Sequence, residues 1–153
     1  MRRGSGEPEQ ELSGESKRAH LKLSGGAGLI QAAAAAVEHF AEEAGLEESV
    51  RRGLVAACEQ VCGDALDRAE SEEGALEVTV EQFPDRLEIG ISHPSLSGPA
   101  VGLDSFLGTG TGPAESVGVS LLTRVDRVRY DIVGQVSRMI LVKYLPGAKK
   151  RAN

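Results

Sequence analysis

The chain has 153 residues, with 17 Lys and Arg set against 23 Asp and Glu for a formal charge of -6. That length is about one domain, large enough to bury a core without disulfide or metal staples, and the acidic balance argues against a general electrostatic attraction to nucleic acid or to an anionic membrane. Aromatic residues make up 3% of the chain and Trp is absent, which weakens any stacking platform for single-stranded nucleic acid. No run of 18 apolar residues occurs, and Arg2-Arg3 leads into Gly, Ser, Glu and Pro. Neither a membrane span nor a signal peptide is expected, and the reading is cytoplasmic.

In chain order, residues 1–18 combine Gly, Ser, Pro and mixed charge with almost no apolar content, the composition of a disordered leader. A single domain is expected over 19–146, followed by a basic tail at 147–153. The charges of Lys149, Lys150 and Arg151 read as a solvated end. His20-Leu21-Lys22-Leu23 alternates as a first strand and is halted by Ser24-Gly25-Gly26. Ile30, Ala33, Val37, Phe40, Ala41 and Ala44 then recur at helical steps, with Gly45 as the stop. A second helix begins at Glu47-Glu48-Ser49, its acidic start matching the helix dipole, and turns Leu54, Cys58, Val61 and Ala65 inward. Cys58 and Cys62 lie four apart without Cys or His companions at zinc spacing, and are expected to be reduced, semi-buried small apolar residues.

The period then changes to two. Leu76, Val78 and Val80, then Leu87, Ile89 and Ile91 after Pro84-Asp85, predict an antiparallel hairpin with one wet face. Ser92 to Pro113 reads as a long loop containing Gly108-Thr109-Gly110-Thr111-Gly112, and a loop of that length inside a domain is commonly mobile or functional. Ala114 to Arg124 predicts a third helix with Val117, Leu121 and Leu122 inward. Two closing strands are expected at Arg127 to Ile132 and Val136 to Tyr144, joined by a turn at Gly134. The order predicts an α+β fold with a helical layer on one face of a mixed, mostly antiparallel sheet.

This order, together with Ala41-Glu42-Glu43-Ala44-Gly45-Leu46 closing the first helix and Glu59 to Ala69 (EQVCGDALDRA) in the second, resembles the ATP-binding domain of the histidine-kinase-like ATPases. Within that group it is most similar to the anti-sigma-factor serine kinases. There the second helix reads roughly D-E-A-C-T-N-A-L-E-H-A, with Glu as base on the attacking hydroxyl and Asn, one helical turn later, on the magnesium of the bound nucleotide. The ungapped match places the base position at Gln60 and the metal position at Asp64, and Cys62, Ala65, Leu66 and Ala69 agree outright. A rival register places the base at Glu59 and the metal position at Gly63. The first is preferred because the rival loses those identities and leaves the metal without a side-chain oxygen. Without the resemblance, Gln60 and Asp64 read as polar residues of a solvated helix face.

The resemblance further implies ATP and Mg2+ as cofactors, a sigma factor or an anti-sigma antagonist as protein partner, and a homodimer. The chain departs from the pattern at its working residues. An amide cannot accept a proton at neutral pH, so Gln60 can position a hydroxyl without deprotonating it, whereas Asp64 still offers oxygen to a hard cation. His93 stands where the family has the adenine-binding Asp, and Ser95 where it has Gly. A neutral imidazole nitrogen can accept one hydrogen bond, although beside Pro94 the residue also reads as an ordinary loop histidine. The phosphate-facing lid motif fits Ser116-Val117-Gly118-Val119, keeping Gly118, while Gly108, Gly110 and Gly112 offer an alternative phosphate cradle. The expectation is therefore a regulatory protein that binds a partner through a kinase-like domain with ATP binding and phosphotransfer weak or lost. The alternatives are an active ATP-dependent serine kinase using Glu59 and Asp64, and a structural or dimerisation domain unrelated to nucleotide.

Overall fold

The computed structural model describes residues 16–24, 26–68, 76–94, 121 and 123–147. Five strands and two long helices follow in the order β1 (Lys17–Leu23), α1 (Ile30–Glu43), α2 (Glu48–Arg68), β2 (Leu76–Phe83), β3 (Arg86–Pro94), β4 (Arg127–Val133) and β5 (Val136–Tyr144), with a 3-10 turn at Ala27–Leu29. The fold is α+β, as the change of hydrophobic period from 3.6 to 2 predicts.

The end of α1 shows how local sequence turns the chain. Gly45 takes φ +83°, a left-handed conformation that side-chain-bearing residues avoid. Its N–H donates to the Glu42 carbonyl at 3.0 Å, and the Leu46 N–H reaches back to Ala41 at 3.1 Å. Both belong to the Schellman pattern, which satisfies carbonyls orphaned at the helix end. Leu46 and Ala41 are both buried in the core, supplying the apolar contact that accompanies this cap. The short link folds α2 back against α1. Two antiparallel helices return the chain to the end of the sheet it left, so β2 runs antiparallel to β1, pairing Leu23 with Leu76.

The strand order is β1-β2-β3-β5-β4, and every neighbouring pair is antiparallel. Among the described residues the expected mixed character is therefore absent: the paired helices reverse the chain once, and both hairpins reverse it by construction. The register places Leu23, Leu76, Val78, Val80, Leu87, Ile89, Ile91, Met139 and Leu141 on one face. They form a single core with Ile30, Ala33, Val37 and Ala41 of α1 and Leu54, Ala57, Cys58, Val61, Cys62 and Ala65 of α2. Full burial of each large aliphatic side chain contributes about 1.5–3 kcal/mol. The alanines let the helices lie close to the sheet.

Two boundaries differ from the sequence reading. β1 begins at Lys17, inside the stretch expected as leader, because Lys17 and Arg18 pair with Gln82 and Glu81. Ser92, His93 and Pro94 belong to β3 rather than to a loop, since the nine-residue β5 offers them partners at Arg138, Ser137 and Val136. Of the third helix, Leu121, Thr123 and Arg124 are helical, and Val125 N–H bonds to the Leu121 carbonyl at 3.1 Å. Leu121 is fully buried, as expected, whereas Val117 and Leu122 lie outside the described residues.

Gly90 is needed for close approach between strands on the face of the sheet opposite the helices. It pairs with Thr79, and a β-carbon at Gly90 would stand 2.7 Å from Thr79 Oγ1. Gly90→Ala should lower unfolding stability by roughly 1–3 kcal/mol in urea denaturation. Adding Thr79→Ala should return part of that loss; strictly additive effects would show that the contact is not the cause.

Candidate functional site

The rotation of α2 is set by its buried stripe. With about 100° between successive residues, a helix that turns Leu54, Cys58, Val61 and Ala65 onto the sheet carries Gly53, Gln60 and Asp64 on one flank and Glu59 on the other. The contacts agree. Gln31 Nε2 of α1 donates to Glu59 Oε2 at 3.4 Å, so Glu59 faces the neighbouring helix. Arg124 Nη1 donates to Gln60 Oε1 at 3.5 Å, in a partly buried setting. A β-carbon on Gly53 would meet Arg124 Cγ at 3.6 Å, placing the arginine stem along the same flank.

Gln60 is held by one end only. Its Nε2 is buried and, among the described residues, finds no hydrogen-bond acceptor, a situation that costs free energy unless a partner arrives. Asp64, one turn further on the same flank, is half-buried. The helix thus presents an amide and a carboxylate together, as the four-residue spacing predicts. Among the described residues, no group of three or more His, Cys, Asp or Glu side chains is gathered as a metal cluster. A magnesium ion here would take one oxygen from Asp64 and the rest from its ligand or water, a normal arrangement for this cation. The residues fit a bound magnesium nucleotide in that respect and do not supply a base at Gln60.

His93 sits on the helix-facing side of β3, continuing the series Leu87, Ile89, Ile91, and is 4% exposed. It is a buried strand residue, not the loop histidine its neighbour Pro94 suggested. Directly opposite lies Ser137 of β5, 2% exposed. These are the buried polar side chains among the described residues. Ser137 was missed in the sequence, although a signal was present: it is the polar residue in an inward series otherwise carrying Met139 and Leu141. Arg124 was missed too, because nothing in a short helix end marks which way its side chain reaches. Ser95, Gly108, Gly110, Gly112 and Gly118 lie outside the described residues. A cleft of about 390 Å³ opens elsewhere, between Leu46, Val50, Lys143 and Leu145, and none of the nucleotide-site positions lines it.

The two cysteines pack as expected of apolar residues, although fully buried rather than half so. Their sulfurs are 3.9 Å apart and both thiols are free. The contact with Cys58, followed by burial, pushes the Cys62 thiol well above its ordinary value of 9.0. No protein-family model matches the chain, and no curated protein matches it.

The thiol carries a pH prediction. Folded Cys62 keeps its proton where the unfolded thiol, near pH 9.0, begins to lose it, so the native state binds more protons and stability falls as pH rises beyond that value. The slope should approach about 1.4 kcal/mol per pH unit per thiol. Urea unfolding at stepped alkaline pH should show a shallower fall in Cys62→Ala than in the wild type; identical slopes would contradict the assignment.

Proposed function

We propose that the chain is an anti-sigma-factor-like regulatory protein of the cytoplasm. It holds a protein partner, a sigma factor or its antagonist, through a kinase-like domain whose ATP binding and phosphotransfer are weak or lost. The observation that carries this reading is Gln60. It occupies the flank of α2 that runs beside Arg124, whose Nη1 donates to the Gln60 side-chain oxygen. On this reading the flank with Gln60 and Asp64 is the one that would face a bound triphosphate, and it offers an amide that cannot take a proton.

Two further features support the reading. The intact carboxylate of Glu59 is on the opposite flank, engaged by Gln31, and so points away from Asp64's side of the helix. His93 has 4% of its surface exposed, so an adenine amino group would reach its imidazole only after displacing covering groups. Among the described residues no helix is long and apolar enough to cross a membrane, which is compatible with a cytoplasmic regulator.

The alternative, an active serine kinase, draws on the survival of carboxylates at both Glu59 and Asp64. Titration calorimetry with magnesium ATP separates the two. The regulatory reading expects a dissociation constant weaker than about 1 mM and no phosphate transfer to a partner serine. Tight nucleotide binding with transfer that Glu59→Ala abolishes and Gln60→Ala leaves intact would establish the kinase instead.

A further inference from the structure

β4 lies at the end of the strand order and, among the described residues, pairs with β5 alone. Its surface is unusually apolar for a free edge. Tyr130 is 38% exposed, Ile132 57% and Val133 70%, with Val136 beside them at 40%. The strand sequence, Arg127-Val-Arg-Tyr-Asp-Ile-Val133, contains no proline, lysine or glycine, and the ladder with β5 runs without a bulge. Proline, glycine and a bulge, which blunt many edges, are therefore absent from β4, and the charges it carries are of both signs, Arg127 and Arg129 with Asp131.

The hairpin fixes which backbone groups are available. Val133 and Val136 close a two-residue connection, and in such a hairpin the closing pair exchanges both of its hydrogen bonds. Alternation then directs the backbone groups of Val133, Asp131, Arg129 and Arg127 toward β5. Those of Ile132, Tyr130 and Val128 point outward, away from the sheet.

We propose that this edge pairs antiparallel with the same edge of a second copy, about a two-fold axis at Tyr130, joining two five-stranded sheets into one. In that register Tyr130 faces Tyr130 of the other copy, and Val128 faces Ile132 in both directions. These are the residues with outward backbone groups, so each pair exchanges its bonds without disturbing the ladder to β5. On the face opposite the helices Arg129 falls opposite Asp131, twice by symmetry, and Arg127 opposite Val133.

Charge selects this register. Centring the axis on Val128 would set Arg127 against Arg129, a repulsive cross-strand pair. Centring it on Asp131 would oppose two aspartates and use a residue whose backbone is already bonded to β5. Centring it on Ile132 would shorten the overlap and leave both arginines without an acidic partner. Arg129 has reach to spare: its contact with Glu88 is 3.3 Å and its side chain is 45% exposed. The interface is isologous and closed, as two-fold pairing requires, and its small area fits a reversible dimer rather than a permanent one.

Sedimentation equilibrium of the full chain, from about 1 to about 100 μM, tests the proposal with a dissociation constant on the order of micromolar expected. Tyr130→Pro removes an outward N–H and leaves the ladder to β5 intact, a position where proline is tolerated. It should weaken the dimer by at least about tenfold. Asp131→Arg places arginine against Arg129 and should weaken it by at least about fivefold, while the swap Arg129→Asp with Asp131→Arg should restore it. The swap keeps the same clash with Arg138 inside the monomer, so rescue isolates the contact between copies. Circular dichroism confirms that each variant is folded. A monomer throughout this range, or a dimer indifferent to the charge variants and to the swap, would overturn the proposal. Failure here leaves the nucleotide reading untouched, since no candidate nucleotide residue lies on β4.

Discussion

The burial of the inner stripe of α2 against β2 and β3 is the constraint from which the site follows. Leu54, Ala57, Cys58, Val61, Cys62 and Ala65 are all buried in one core with Val78, Ile89 and Ile91. Rotating the helix by one residue, about 100°, would bring Glu59 toward the Arg124 side and push buried positions into solvent. Core packing resists that by several kcal/mol, because each displaced aliphatic group loses its transfer free energy and its neighbours lose their contacts. The chemistry available on the flank is therefore decided by the core and not by the polar residues themselves.

Once the rotation is fixed, adjacent residues acquire different roles. Glu59 is tied to α1 by Gln31, while Gln60 is paired across space with Arg124. Gln60 supplies shape and one hydrogen-bond acceptor where a carboxylate would supply proton affinity. Among the described residues the Nε2 donor of Gln60 has no acceptor, and a hydroxyl or carbonyl oxygen brought to it would gain a hydrogen bond. Asp64 alongside keeps the capacity for a hard cation.

Much of the architecture was legible in the sequence because it follows periods. The alternation of Leu76 to Val80 and of Leu87 to Ile91 gave the central hairpin its strands and its buried face, and the 3.6-residue stripe of α2 fell on the positions that are buried. Gly45 was readable as a helix stop because its neighbours form a well-defined cap. The all-antiparallel sheet was less legible, since strand direction across the α1–α2 unit depends on how two helices fold back, a tertiary matter. The extent of β1 and β3 was hidden for a related reason: Lys17, Arg18 and His93 are polar residues drafted into strands by partners distant in sequence. Ser137 and Arg124 joined the site by register and by side-chain reach, neither of which periodicity reports.

The claim that Gln60 rather than Glu59 faces the would-be phosphate position is tested most directly by a crystal structure of the chain grown with a non-hydrolysable magnesium ATP analogue at saturating concentration. The account predicts either no ordered nucleotide, or one whose terminal phosphate lies beside Gln60 and Asp64 with no carboxylate placed to take a proton. A triphosphate ordered on the other flank, with the Glu59 carboxylate within hydrogen-bonding distance of the attacking position, would contradict it.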